Sequence, residues 1–413
     1  MTKMKIFILL ALVLVVGAVN AQEMSSARSV ALGSAYTGLA SGVDAARFNP
    51  ANLGFESHRN NSIELVGLGA NLNNNSFTLD DYNTYTGAYL TTDDKNDILS
   101  KIPQEGLKLS FEAEASALSV SLGSFVFGTS VNGIADINMN KDIMELILNG
   151  NTYADTVDLN GSYSEGLAYG AAYLSFGTPI ITNGSRQLSV GSTVKYLYGI
   201  GIEEVVDMHG MAATYAAGYE GEGSVIARTA TGGSGYAVDI GAALKLNNNY
   251  TVGARIKNFL SKMTWDKETE EHGYLFNFDT MTIDNANEDY ITSDDYSIDI
   301  PSFETKLPSV MNVGIAKTSG TLLWAVDWEQ GFNSNTGSST KPRISAGAEW
   351  NGLSAIPLRF GYSAGGNQNS SFSFGSGFHL PVFHIDYAVV TGSSLSGYSS
   401  KGAHFALTAS LNF

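Results

Sequence analysis

Three consecutive stretches decide how this chain is read. They are Tyr236-Ala237-Val238-Asp239-Ile240-Gly241-Ala242-Ala243-Leu244-Lys245-Leu246, then Asn247-Asn248-Asn249, then Tyr250-Thr251-Val252-Gly253-Ala254-Arg255-Ile256-Lys257-Asn258-Phe259. Tyr236, Val238, Ile240, Ala242, Leu244 and Leu246 alternate with Asp239, Gly241 and Lys245, the period-two pattern of a strand with one apolar face. Three asparagines then reverse the chain, and a second strand follows. The turn sets Asp239 opposite Lys257 on the polar face, an opposite-charge cross-strand pair worth roughly 0.2–1 kcal/mol.

The same alternation recurs on both sides of this hairpin. Leu107, Leu109, Phe111, Ala113 and Ala115 alternate with Lys108, Ser110, Glu112, Glu114 and Ser116. Leu322, Trp324, Val326 and Trp328 alternate with Asp327 and Glu329, and Phe405, Leu407, Ala409, Leu411 and Phe413 with Thr408, Ser410 and Asn412. In a soluble sandwich the apolar face packs inward. In a membrane barrel it meets lipid while the polar face lines the lumen. Alternation alone does not separate the two.

The connections do. Fourteen strands are expected, at 61–72, 107–122, 125–139, 166–177, 187–202, 236–246, 250–259, 310–317, 321–331, 342–350, 357–364, 371–379, 382–391 and 403–413. The segments between them alternate between long and short almost throughout: 73–105 against 123–124, 140–165 against 178–186, 203–235 against 247–249, and 260–309 against 318–320. Outer-membrane barrels have an even strand count, short periplasmic turns and long outside loops. A sandwich has no reason to place its long connections at one end. The expected fold is all-β, a 14-stranded antiparallel transmembrane β-barrel over 61–413, in the outer membrane of a Gram-negative cell with membrane lipid as its surroundings. A last strand closing on Leu411-Asn412-Phe413 looks like the assembly signal of such barrels.

The ends and the composition agree. Lys3 and Lys5 followed by the apolar run Ile6 to Val16 form a secretory signal too short to span a bilayer, with Val19-Asn20-Ala21 at the cleavage point, so 1–21 is expected to be a signal peptide. There is no cysteine, hence no disulfide framework and no thiolate chemistry. Charged residues make up only 15%, against roughly 25% in ordinary soluble domains. The net charge of −17 argues against nucleic acid, whose binding depends on neutralising phosphates. Forty-five glycines suit a large twisted sheet.

Between signal and first strand lies a run of small residues, Ser29-Val30-Ala31-Leu32-Gly33-Ser34-Ala35-Tyr36-Thr37-Gly38-Leu39-Ala40, then Asp44-Ala45-Ala46-Arg47-Phe48-Asn49-Pro50-Ala51. An early Gly-Ser-Ala-Tyr run followed by aromatic-Asn-Pro-Ala resembles the start of the FadL-like superfamily of outer-membrane barrels. That superfamily includes fatty-acid and aromatic-hydrocarbon channels and the PorV-like barrels that serve type IX secretion. Pro357-Leu358-Arg359-Phe360-Gly361-Tyr362, Ser373-Phe374-Gly375-Ser376-Gly377 and Ile385-Asp386-Tyr387-Ala388 are similar to its C-terminal half. Residues 140–310 match only in architecture. The resemblance implies that 22–60 folds inside the barrel as a hatch, with Arg47, Phe48, Asn49, Pro50 and Ala51 as the gating motif. A fourteen-stranded barrel is indeed too wide for its own side chains to fill. A disordered leader is the other reading of the segment.

The polar face carries charges of both signs, among them Glu112, Glu114, Asp239, Lys257, Asp327, Glu329, Glu349 and Arg359. Mixed signs point to mutual pairing and hatch anchoring more than to ion selectivity, and Arg28 and Arg47 are candidates to pair with lumen carboxylates. In the long connections, 93–102 reads as a capped helix. Ile143, Met144, Ile147 and Leu148 lie on a short apolar helix ended by Asn149-Gly150, a candidate greasy groove or simply loop packing. Segment 260–309 holds 12 acidic residues and 3 lysines, a solvated surface or a protein-partner surface.

Catalytic readings are weaker. Gly361-Tyr362-Ser363-Ala364-Gly365 matches the nucleophile-elbow pattern, but that motif needs a helix after it and a strand is expected here. His379, His384 and His404 have no distinctive serine spacing. Asp93-Asp94-Lys95-Asn96-Asp97 lacks the glycine and closing Glu of a calcium loop. No enzyme activity, metal or cofactor is expected. The leading expectation is passive uptake of a hydrophobic small molecule through a hatch-plugged channel. The alternative is a PorV-like barrel that docks a secreted protein.

Overall fold

The computed structural model describes residues 23–58, 61–150, 156–183, 186–247, 249–281, 291–333, 339–366 and 370–413. The expected signal peptide, 1–21, lies outside them. In chain order the strands are β1 (Ser62–Asn74), β2 (Leu107–Leu122), β3 (Phe125–Met139), β4 (Thr156–Asp158), β5 (Tyr163–Asn183), β6 (Arg186–Tyr215), β7 (Gly218–Ala230), β8 (Gly233–Leu246), β9 (Tyr250–Trp265), β10 (Glu270–Met281), β11 (Ile291–Asp299), β12 (Phe303–Thr305), β13 (Val310–Ser319), β14 (Leu322–Gly331), β15 (Arg343–Trp350), β16 (Leu358–Gly365), β17 (Ser370–His379), β18 (Phe383–Gly392) and β19 (Gly402–Asn412). The helices are α1 (Ala27–Ala31), α2 (Val43–Phe48), α3 (Leu79–Tyr85), α4 (Thr92–Lys101) and α5 (Lys141–Asn149), with a 3₁₀ turn at Pro50–Gly54.

Fourteen strands close a barrel: β1, β2, β3, β5, β6, β8, β9 and β13 to β19. Each pairs antiparallel with the next, and β19 returns to β1, with Ile63 opposite Leu411 and Leu72 opposite Ala403. Closure leaves the wall without an open edge. Alternation along each strand sorts the faces. On β1, Leu68 and Leu72 are exposed on the outside while Gly67, Gly69 and Asn71 point inward. No helix among the described residues is long and apolar enough to cross a membrane; a barrel crosses with its strands.

The buried core is not between sheets. Much of it is the N-terminal segment inside the barrel. Met24, Ala27, Ala31, Leu32, Ala35, Ala40, Ala45, Ala51, Leu53 and Phe55 are each fully shielded from solvent. Small residues are required here, because the helices lie directly on the wall backbone.

Three expectations need correcting. Segments 203–235 and 260–309 are not loops. β6 is 30 residues long and runs on to Tyr215, and β4, β6, β7, β10 and β11 pair into a sheet raised above the barrel. Their alternation was hidden because both faces meet water there, so hydrophobic periodicity no longer marks the strand. Secondly, β9 runs to Trp265, not 259, carrying Met263 and Trp265 back into the lumen. Thirdly, Asp239 does not sit squarely opposite Lys257. The register expected from the Asn247 turn holds from Ile240↔Ile256 to Leu246↔Tyr250, but a bulge follows, with Asn258 at φ 50°. Asp239 takes Lys195 at 2.8 Å and the Asn258 backbone N–H at 2.8 Å, and Lys257 takes Glu23 at 2.6 Å. Both charges do face the lumen, at 0% and 7% exposed.

Candidate functional site

The site is the hatch and the charged wall that holds it. Ser26 caps α1, its hydroxyl accepting the Ser29 N–H. The helix then lies against β17, β18 and β19, with Ala27, Val30 and Ala31 against Ala388 and Ala406. Wall carboxylates collect free backbone N–H groups of the segments before and after this helix. Met24 and Ser25 donate their backbone N–H groups to Glu114 at 2.6 and 3.1 Å, and the Ser25 hydroxyl donates to the same carboxylate at 2.7 Å. Tyr36 and Thr37 donate theirs to Asp327 at 2.9 and 2.8 Å. These wall carboxylates act as anchors for a chain whose short elements leave many backbone groups without helical partners.

Two arginines complete the attachment. Arg28 grips Glu349 in a two-point contact, both bonds 2.8 Å, and Arg359 shares one of those Glu349 oxygens at 2.6 Å and holds Asp386 at 2.5 Å. Arg47 lies at the end of α2, 4% exposed, with one nitrogen 2.6 Å from Glu64 and 2.7 Å from Asp44. Its other terminal nitrogen donates to Ser25 and Ser116 at 2.6 and 3.1 Å. The mixed-sign wall therefore pairs with itself and with the hatch. Of the remaining expected lumen charges, Glu112 is buried and accepts from Asn71 at 2.5 Å. Glu329 is half-buried and accepts from Asn312 at 3.0 Å.

The Phe48-Asn49-Pro50-Ala51 motif leads from α2 into the 3₁₀ turn. Asn49 is extended, and its side-chain oxygen accepts the Ala51 N–H at 3.2 Å, capping the 3₁₀ turn that Pro50 opens. The same amide donates to the Ala242 carbonyl of β8 at 3.2 Å, so one side chain both caps the turn and ties it to the wall. Asn52 ties the turn back to the hatch through the carbonyls of Thr37 and Ala40. Ser189 and Thr193 of β6 donate to the carbonyls of Ala51 and Ala46. Phe48 packs edge-on against Tyr36, 4.9 Å between centroids, with the Arg255 guanidinium 6.0 Å over its face.

Two features went unread in the sequence. One is a set of inward wall glycines on which the hatch rests. A Cβ at Gly191 would stand 2.4 Å from the Pro50 backbone, and one at Gly361 would stand 2.1 Å from Gly33. The signal was present as glycines at inward positions of otherwise regular strands. The other is an apolar plug between hatch and outer mouth. Leu167, Tyr169, Leu197, Met263, Trp265 and Leu307 pack together there, and the Trp265 indole donates to Thr305 at 2.9 Å. Ser363, the central residue of the elbow-like pentapeptide, lies within β16 beside Ser371 and Arg343, and the next element is β17.

The helix at 143–148 is formed as expected, capped by Asn140 and stopped by Gly150 at φ 68°. Met144 and Leu148 pack onto Leu99, Ile102 and Leu107, Ile143 is half-buried, and Ile147 is exposed. Its apolar face is thus largely covered by α4 and its surroundings.

A family of unknown function, DUF5723, matches residues 54–205. No curated protein matches the chain in sequence. Among solved structures, the toluene transporter TodX of P. putida superposes with a TM-score of 0.52 at 14% identity, over 95% of this chain and 99% of that one. A FadL homologue of Pseudomonas aeruginosa superposes with a TM-score of 0.53 at 12% identity, over 96% and 100%. At this identity the likeness establishes the fold: a FadL/TodX-type fourteen-stranded barrel over nearly the whole chain.

Proposed function

We propose that this protein is an outer-membrane channel for passive uptake of a hydrophobic small molecule, with the segment before β1 as its hatch. One observation carries the reading. The lumen is occupied in series by an apolar plug around Trp265 and by a hatch held on hydrogen bonds and ion pairs. A water-filled pore has no use for buried tryptophan and leucine at its mouth. A greasy solute gains roughly 0.8 kcal/mol per CH₂ by staying on apolar surface. The structures of similar fold include a toluene transporter, which is consistent with such cargo. In this reading Asn49 and Pro50 form the gate, because the Asn49 amide joins the turn to β8. Replacing both with Ala should slow cellular uptake of labelled toluene several-fold while the barrel still shows heat-modifiable migration and fractionates with the outer membrane. Unchanged uptake in a folded variant would overturn the reading.

A second reading, a barrel that docks a secreted protein, is favoured by one feature: the sheet of β4, β6, β7, β10 and β11 raised over the mouth. Under that reading, removing the raised sheet would abolish partner capture and leave small-molecule uptake untouched.

A further inference from the structure

The raised sheet has a hollow of about 950 Å³ on one face, separate from the lumen and its hatch. The strand register places its lining. Asp158 on β4 pairs with Met211 on β6, which faces Glu222 on β7, which faces Asn277 on β10, which faces Thr292 on β11. One step toward the barrel, His209, Ser224, Leu275 and Asp294 form the next row, and Asp207 and Ile226 begin a third. Residues two apart on a strand share a face, so these rows line one hollow. The volume is at the upper end of the range for small-molecule sites.

The lining is lopsided. It holds four carboxylates, Asp158, Asp207, Glu222 and Asp294, and no lysine or arginine is among its described residues. Arg228, the nearest guanidinium along β7, is spent on Glu271 at 3.6 Å. Asp207 is held by His209 at 2.9 Å and by the Ser224 hydroxyl at 2.7 Å, and these bonds keep its carboxyl below the usual carboxylate range. Met211, Ile226 and Leu275, one in each of these three rows, add apolar side chains to the lining. A hydrocarbon would strip water from the carboxylates with nothing in return. A bare metal ion finds no group of three ligating side chains at metal distance among the described residues. A concave face of one charge sign focuses its potential on the space in front of it.

We propose that this hollow binds an amphiphilic organic cation, with its amine toward the carboxylates and its apolar body along Met211, Ile226 and Leu275. The site is independent of the uptake reading, since it touches neither hatch nor gate.

Tryptamine and tryptophol test this directly, because they share an indole body and differ in amine against hydroxyl. The full-length protein, in discs of zwitterionic phosphatidylcholine, is titrated with each by calorimetry. Tryptamine should bind about tenfold more tightly than tryptophol at low salt. That preference should shrink as ionic strength rises. Asp207→Asn with Asp294→Asn should reduce tryptamine affinity about tenfold and leave tryptophol unchanged. Should the double variant fail to fold, the salt titration of the natural protein and Glu222→Gln decide the same point. Tryptophol binding as tightly as tryptamine would overturn the proposal. So would tryptamine binding that ignores both salt and the substitutions, or no binding by either compound.

Discussion

Arg47 keeps its charge out of water because four groups surround it: Glu64, Asp44, Ser25 and Ser116. Removing one side of a buried pair typically costs about 3–5 kcal/mol, since the other charge is left without compensation. Arg47→Met should therefore lower the denaturant midpoint sharply and make the hatch accessible to protease. Adding Glu64→Gln should recover part of the loss, and a double-mutant cycle reads the coupling. Arg47 was legible as an anchor, a lone cation in a run of small residues. Its partner was harder to read, because a bulge after Glu64 reverses the parity of β1 and hides which side chains face inward. His58 gives a second prediction at this scale. Burial, with Lys245 and Arg28 behind it, brings its ring down from 6.5 to about 4. A depressed histidine leaves stability intact above pH 6.5, and that stability drains as pH falls toward 4, where the folded protein must also take the proton. Protease sensitivity of the hatch should rise between pH 6.5 and 4, and His58→Gln should flatten that rise. An unchanged rise would assign it to other groups.

At the scale of elements, the wall was readable and the raised sheet was not. Inside the membrane a strand has one greasy and one wet face, so β2, β8, β14 and β19 announce themselves by alternation. Above it, β6 past Ile202 and β7 still pair backbone to backbone, but glycines, glutamates and hydroxyls serve both faces and the pattern fades. The same blindness ended β9 early and concealed Trp265, which the extra residues swing onto the open backbone of Gly199. That contact makes the outer plug testable. Trp265→Ala should cost roughly 3–5 kcal/mol, the range for emptying a large buried aromatic site. Trp265→Phe should cost less, mainly through the Thr305 hydrogen bond. Equal, small effects of both would mean that the plug does not seal the mouth.

For the whole molecule, the question is whether the barrel stands without what fills it. The wall hydrogen bonds form a closed ring from β1 to β19 and none of them passes through the hatch. The hatch instead satisfies charges on the inner face: Glu114, Asp327, Glu349 and Lys257 all bond to residues between Glu23 and Thr37. Take that segment away and the lumen fills with water, which solvates those charges, so the ring should survive as a wider pore. Deleting Gln22 to Phe55 should give a heat-modifiable barrel whose conductance in planar bilayers clearly exceeds that of the intact protein for small ions. Gly191→Val should give a partial version, because its side chain would occupy the place of the Pro50 backbone. The size of the two effects carries the information. A large rise on deletion and a smaller one on substitution fit a plug seated on the wall at that glycine. Equal conductance of the intact and deleted forms, with the deleted form still folded, would mean that the closure lies elsewhere, at the Trp265 plug, and the hatch would lose its place as the gate.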